Sequence, residues 1–414
     1  MHYFHYKGRE LYCEDVPLSK LAVRFGTPLY VYSRRTILEH FLKLKDAFRQ
    51  LSPLICYSVK ANSNMNILKM LVEAGCGLDV VSGGELFRAL RAGCPAKKIV
   101  YASVGKTPQE ISRAVSGGIL FFNVESLPEL ETINKIAGNL GKRAGAALRI
   151  NPDVEPGTHK YITTGRLTNK FGIDFAAAAG IFATGPGRFP HVDLNGVHIH
   201  IGSQITSGAP FVKAIGKVLG FIAVLRKKKV RIEYLNLGGG LGIIYSKEKP
   251  QTALEYARKV IPLLKSSGLK IIMEPGRFIV GNAGVLVTKI LYFKKTPLKR
   301  FVIVDAGMND LIRPALYQAY HEILPLDNDP AMPAMTCDVV GPICESSDYL
   351  ARHRTVKSLG EEKYLAVMSA GAYGSSMASN YNSRAKPAEI MVEGTKFRLI
   401  RERENYEDLI RHEK

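Results

Sequence analysis

Between residues 54 and 280, eight short β-branched and aromatic runs alternate with longer amphipathic stretches, and after residue 285 helical patterning nearly disappears. The first pattern predicts an α/β protein built as a TIM (β/α)8 barrel, because strands separated by helices form βαβ units and eight such units close a barrel. The second predicts a mainly β, Greek-key-like C-terminal domain. A length of 414 residues agrees, being too great for one small core.

The barrel strands are expected at 54–59, 77–81, 98–102, 119–123, 146–150, 194–201, 232–237 and 269–274. Amphipathic runs such as "NMNILKMLVEAG" (64–75) and "GELFRALRAG" (84–93) supply the helices between them. The stretch 151–193 is long for one crossover, so an extra loop is expected besides a helix near "DFAAAAGIFA" (174–183). Later, "VLVTKILYF", "RFVIVDA", "AMTCDVVG", "KYLAVMSA" and "AEIMVEG" read as strands between Gly-, Pro- and Asp-rich loops. The strand-like "PLYVYS" (28–33) precedes the barrel and could pair with it, and the C-terminal β domain is expected to be joined by the N-terminal strand. The expected division is 1–35, an N-terminal segment packing with the β domain; 36–282, the barrel; and 283–414, the β domain.

Composition narrows the function classes. With 46% hydrophobic and 23% charged residues the chain reads as an ordinary soluble globular protein. No apolar stretch approaches the ~18 residues of a membrane span, and the charged N-terminus "MHYFHYKGRELYCED" is not expected to be a signal peptide. Cys13, Cys56, Cys76, Cys94, Cys337 and Cys344 are scattered without a CxxC pair, which suits a reducing cytoplasm. The net charge of +20 would fit a nucleic-acid partner, but "RKKK" and "KKTPLKR" lie between apolar segments as solvated runs. Neither metal-finger spacing nor an aromatic-basic RNA motif accompanies them, so no nucleic acid, membrane or metal is expected.

The polar residues at strand ends belong together. Lys60 follows strand one in "CYSVKANSNMNIL", Arg149 and His200 lie in strands five and six, "GGGLG" (238–242) follows strand seven, and "EPGR" (274–277) closes strand eight. Alone, Lys60 is either a solvated strand terminus or a buried amine with a covalent task. In a barrel, however, C-terminal strand ends converge on one mouth, where catalytic groups sit. An amine that can bind an aldehyde, glycines open to a phosphate and a histidine able to stack on a ring together suggest pyridoxal 5′-phosphate. Glu274 adds a carboxylate able to keep the pyridine nitrogen protonated, so that the ring accepts electrons.

"YSVKAN", "HIHIGSQ", "LGGGLG", "EPGR", "GPICESSD" and "GAYGSSMASNYNSR", in this order over nearly the whole chain, resemble the motifs of the diaminopimelate decarboxylases, which are fold type III pyridoxal-phosphate decarboxylases. "HKYITTG" (159–165) and "CESSD" (344–348) are ordinary variants of the pattern, with no departure at a chemical position. The resemblance implies that Lys60 carries the cofactor, that His200 stacks on it and that Glu274 partners its ring nitrogen. It places Ser203, Gly240, Gly276 and Arg277 at the phosphate, with Asp79 and Arg149 near the cofactor. It assigns Arg277 and Arg313 to the distal carboxylate of the substrate and Glu345 to its distal ammonium. Tyr317 becomes a further substrate contact, and Tyr373 a contact of both cofactor and substrate. Cys344 becomes the acid that protonates the carbon after carbon dioxide leaves. Cys344 and Glu345 are implied to reach into a partner's barrel, making a homodimer.

The expected activity is therefore decarboxylation of meso-2,6-diaminopimelate to L-lysine and carbon dioxide, the last step of lysine biosynthesis. The alternative is a decarboxylase of the same fold acting on ornithine, arginine or carboxynorspermidine. Arg277, Arg313 and Glu345 together argue against most of these, and carboxynorspermidine, which retains a carboxylate, is the hardest to separate. A racemase of this fold would be associated with a cation in the place of Glu274. A non-catalytic pyridoxal-phosphate carrier would lack the β domain that bears Cys344 and Tyr373.

Overall fold

The computed structural model describes residues 2–155, 170–357, 360 and 363–414, so "HKYITTG" lies outside the described residues. The chain divides into two compact units. One comprises the chain through His40, with Ile244–Glu248 and Ile279–Lys414; the other comprises Phe41–Ile243 and Lys249–Phe278.

The second unit is a closed barrel of eight parallel strands: Leu54–Ser58, Gly77–Val80, Ile99–Tyr101, Phe121–Val124, Ala144–Arg149, Val192–His198, Tyr234–Asn236 and Lys270–Met273. Closure occurs where Ile272 and Met273 pair with Leu54 and Ile55. The strands are buried almost throughout, as parallel strands covered on both faces must be. Cys56, Val100, Phe121, Ala147 and Ile272, drawn from five strands, form one buried cluster.

The helices between strands start where the sequence supplies acceptors for orphan N–H groups. Ser82 caps Gly83–Arg91, and Ser126 caps Leu127–Asn139. Thr107 with Glu110, and Thr252 with Glu255, close capping boxes on Pro108–Gly117 and Ala253–Lys265. Asp174 caps Phe175–Arg188, the helix expected after strand five.

The first unit is built around a mixed sheet in the order Tyr349–Val356, Met335–Val340, Arg300–Val304, Gly284–Lys295, Leu29–Ser33, Ala388–Glu393 and Lys396–Arg401. Tyr364–Val367 also pairs with Gly284–Lys295, and Ile323–Pro325 pairs with Tyr364–Val367. The N-terminal strand joins this sheet, as expected of the β domain. Leu29–Ser33 runs antiparallel to Gly284–Lys295 and parallel to Ala388–Glu393, so the pairing with the barrel that its place in the chain also allowed does not occur. A closed barrel has no edge left to pair with, and both faces of this strand are buried, with Leu29 and Val31 in a cluster with Val285, Val287, Ile390 and Val392. The pattern also missed Tyr349–Val356, where charged residues interrupt the apolar run, and the short strands Phe4–Lys7, Glu10–Cys13 and Ile323–Pro325.

Candidate active site

Strand one ends at Ser58, and the chain turns through one 3-10 turn, Val59–Ala61, before the helix Met65–Glu73 capped by Asn64. The turn carries Lys60 off the strand end. Its Nζ donates to Asp79 Oδ2 at 2.9 Å, with the lysine side chain 39% exposed and the aspartate fully buried. Ser58 Oγ also donates to Asp79 Oδ2, at 2.7 Å, and lies 3.0 Å from the carbonyl of Glu274. Lys60 is thus neither solvated at large nor sealed in: an accessible amine is held at its tip by a buried carboxylate. Burial and the nearby Glu274 charge push the Asp79 carboxyl above its usual range, against the pull of Lys60.

Glu274 follows the last residue of strand eight and is buried. Its Oε1 accepts from Asn123 Nδ2 at 2.8 Å and from Asn236 Nδ2 at 2.5 Å. Its Oε2 lies 3.3 Å from His198 Nε2. Burial alone would raise this carboxyl. The neighbouring His198 and Lys60 and the Asn236 amide outweigh it, so the group sits well below the usual carboxylate range and is ionised at neutral pH.

His200 requires a small correction: strand six ends at His198, and His200 stands two residues beyond it. Its Nδ1 accepts from the Gly239 N–H at 3.1 Å, which fixes the proton on Nε2. Burial, then Arg149 and Lys60, hold it far below the ordinary histidine range, so it is a neutral ring at physiological pH. Arg149, at the end of strand five, is buried against Glu125 at 2.6 Å.

The glycines after strand seven are required by space. Gly238 and Gly240 adopt φ of 65° and 108°. A methyl group at Gly239 would lie 2.2 Å from the Glu274 carbonyl oxygen, and one at Gly240 would lie 2.4 Å from that of Gly202. At Gly276 it would press on Ser58 and Ala61 at 3.0 and 3.1 Å. Arg277 Nη2 donates to Ser203 Oγ at 3.0 Å. Only bare backbone fits this loop cluster, leaving N–H groups that a phosphate can approach. An accessible amine, a neutral imidazole with a fixed tautomer, a bare glycine turn and a buried anionic carboxylate in one barrel fit pyridoxal 5′-phosphate.

The remaining candidates belong to the β unit. Arg313 opens the short helix Arg313–Tyr317 and is buried. Its Nη1 is 2.9 Å from His321 Nε2, and His321 Nδ1 is 2.8 Å from the Met368 carbonyl. His321 therefore donates through Nδ1 and accepts from the guanidinium, which also stacks 4.7 Å from the Tyr245 ring. Tyr317 is half-buried at the end of that helix. Tyr373 takes a left-handed φ of 57° and is half-buried. Cys344 is the one exposed cysteine; the other five are buried, and all six are free. The Cys344 N–H donates to Asn382 Oδ1 at 3.0 Å, and Glu345 accepts from the Tyr381 hydroxyl and from Ser347 Oγ, which lower its carboxyl. Asp348 shapes this loop by accepting from the Ile343 and Met308 N–H groups at 2.6 and 2.7 Å.

The residues that hold these candidates were not foreseen: Asn123, Asn236 and His198 around Glu274, and His321 behind Arg313. The first three are polar residues in or at the ends of barrel strands, a placement too common to single them out before the carboxylate is seen. His321 lies in a loop and gave no signal.

A family profile described as "Pyridoxal-dependent decarboxylase, pyridoxal binding domain" matches residues 34–281. The diaminopimelate decarboxylase of Aquifex aeolicus is 48% identical over 99% of this chain and 96% of its own length. That of Vibrio cholerae is likewise 48% identical, over 99% of this chain and 98% of its own. This chain belongs to the diaminopimelate decarboxylase family. Among solved structures, the Helicobacter pylori diaminopimelate decarboxylase complexed with L-lysine superposes with a TM-score of 0.91 at 43% identity, covering 95% of this chain and 98% of that one. The M. jannaschii enzyme in co-complex with L-lysine gives 0.94 at 38%, covering 99% and 97%. A lysine/ornithine decarboxylase from Vibrio vulnificus, 20% identical, shares the fold alone.

Proposed function

We propose that this chain is the pyridoxal-phosphate-dependent carboxy-lyase that converts meso-2,6-diaminopimelate to L-lysine and carbon dioxide, closing lysine biosynthesis. The observation that carries the substrate is the 48% identity to diaminopimelate decarboxylases along 99% of the chain. Bound pyridoxal phosphate supplies the sink for the electron pair left when carbon dioxide departs.

Each residue then has a task. Lys60 holds the cofactor covalently, and Asp79 keeps its amine aimed. Glu274, ionised and buried, holds a proton at the ring nitrogen. His200 offers a flat uncharged face to the ring, anchored by Gly239. Ser203, Gly240, Gly276 and Arg277 serve the phosphate, and Arg149 fixes the adjoining strand end. Arg277 and Arg313 bind the distal carboxylate of the substrate as bidentate donors. Glu345 takes the distal ammonium, while Tyr317 and Tyr373 line the substrate. Cys344 donates a proton to the carbon that has lost its carboxylate. We place Cys344 and Glu345 in the barrel of a second copy, which makes a homodimer the active form; the outward exposure of both side chains supports this. Free thiols suit the cytoplasm, and no described helix is long and apolar enough to cross a membrane.

Incubation of the purified protein and cofactor with meso-diaminopimelate is expected to release lysine and carbon dioxide in equal amounts. Turnover of carboxynorspermidine in its place would transfer the assignment to the alternative substrate.

A further inference from the structure

His198 is a buried imidazole, 1% exposed, and neither ring nitrogen makes a hydrogen bond among the described residues. Burying an imidazole with neither nitrogen in a well-aligned hydrogen bond is unfavourable, and a leucine or methionine would fill the space at less cost. Packing therefore does not explain it. Its surroundings do. Nε2 stands 3.3 Å from Glu274 Oε2 but out of hydrogen-bond alignment. Meanwhile Asn123 and Asn236 both donate to Oε1, so that edge of the carboxylate is committed. On the ladder His198 is registered against Arg149 on one side and Asn236 on the other. The ionisable groups around it are Glu274, Arg149 and His200, with Lys60 acting on Glu274.

We propose that His198 is a positioning residue for Glu274, its Nε2–H holding the Oε2 edge of the carboxylate while the two asparagines hold Oε1. The imidazole's second torsion is soft, so a small rotation brings the N–H into line. Three donors from strands four, six and seven then fix a carboxylate at the end of strand eight and keep it anionic. This inference rests on the reading of Glu274 as the partner of the cofactor's ring nitrogen. It adds that the orientation of that carboxylate, and hence its grip on the ring proton, depends on His198.

Three variants test it: His198→Leu, which removes both nitrogens; His198→Gln, which keeps an N–H at similar reach; and Glu274→Gln as control. Pyridoxal-phosphate affinity, the pH midpoint of the bound cofactor's visible band, and kcat and KM are measured for each. We expect His198→Leu to weaken cofactor binding and lower kcat, each about tenfold, to displace the band's midpoint, and to leave KM within about twofold. His198→Gln should recover most of the loss. Equal behaviour of the Leu and Gln variants, or wild-type affinity and midpoint in His198→Leu, overturns the inference. If Glu274→Gln is itself indistinguishable from wild type, the reading of Glu274 has failed and takes the inference with it. If Glu274→Gln is crippled and His198→Leu is not, only the inference falls. Should His198→Leu fail to fold, His198→Asn, whose N–H is too short to reach Oε2, replaces it in the comparison with His198→Gln.

Discussion

The candidate residues of the barrel and those of the β unit are held in opposite ways. Around Glu274 every partner is buried, and the partners come from strands four, six and seven, so the carboxylate is fixed by the sheet itself. Cys344 and Glu345 lie on a loop whose backbone is pinned by Asn382 and by Asp348, itself held by the Met308 N–H, yet both side chains are exposed. The barrel thus completes its electrostatics within one chain. The loop is shaped in one chain but presents the Cys344 and Glu345 side chains outward, which is what the proposed homodimer requires. Preorganisation by buried dipoles is the property that makes such sites effective, and here it is concentrated on the cofactor side.

The sharpest way to break this contrast is Lys60→Ala, which should abolish the visible band of bound cofactor and the activity together; survival of either would remove the covalent anchor. Cys344→Ala should keep the band and lose kcat on the order of 10²–10⁴-fold, the usual contribution of a positioned acid. Mixing these two inactive variants should restore activity if the loop serves a second copy, and failure of rescue would place the site within one chain. Arg313→Ala should raise KM for diaminopimelate about 10–100-fold, the range for losing charge-assisted hydrogen bonds, with the cofactor band unchanged. A matching fall in kcat instead would show that Arg313 acts on the reacting centre.

The smallest expected effect concerns stability. Asp310 is buried against the Gly307 N–H and the Asn309 amide, and burial pushes its carboxyl up from 3.8 to about 7. The folded state therefore holds a proton that the unfolded chain releases, so this group's contribution to stability falls as pH rises from about 4 to 7. Asp310→Asn should flatten that part of the Tm profile and gain most, relative to wild type, above pH 7. An unchanged slope would mean that the carboxyl ionises normally.

The barrel was legible because its signal is redundant: eight alternations, each strand an apolar run of ordinary length, together specify the fold even where single boundaries shift by up to three residues. Leu29–Ser33 was expected to join the β domain, but which strands flank it was not legible, since strand pairing is non-local and a five-residue apolar strand fits any sheet that leaves an edge open. At the site, Lys60, "GGGLG" and Glu274 were visible as chemistry displaced from its usual surroundings. The asparagines were not, because a single amide at a strand end looks like any turn residue until the carboxylate it serves is seen. His321 is the extreme case: it is recognised through Arg313 and the Met368 carbonyl, one of which lies 47 residues away in sequence.

The bare turn after strand seven has a bearing on attempts to redesign the protein. With the Glu274 carbonyl only 2.2 Å from where any side chain at Gly239 would begin, even alanine there must dislodge the base of the acidic residue opposite. Libraries meant to widen the range of accepted amino acids will yield mostly dead clones if they randomise that triplet. Diversity is better spent at Glu345, whose exposed side chain is the one proposed above to read the distal ammonium.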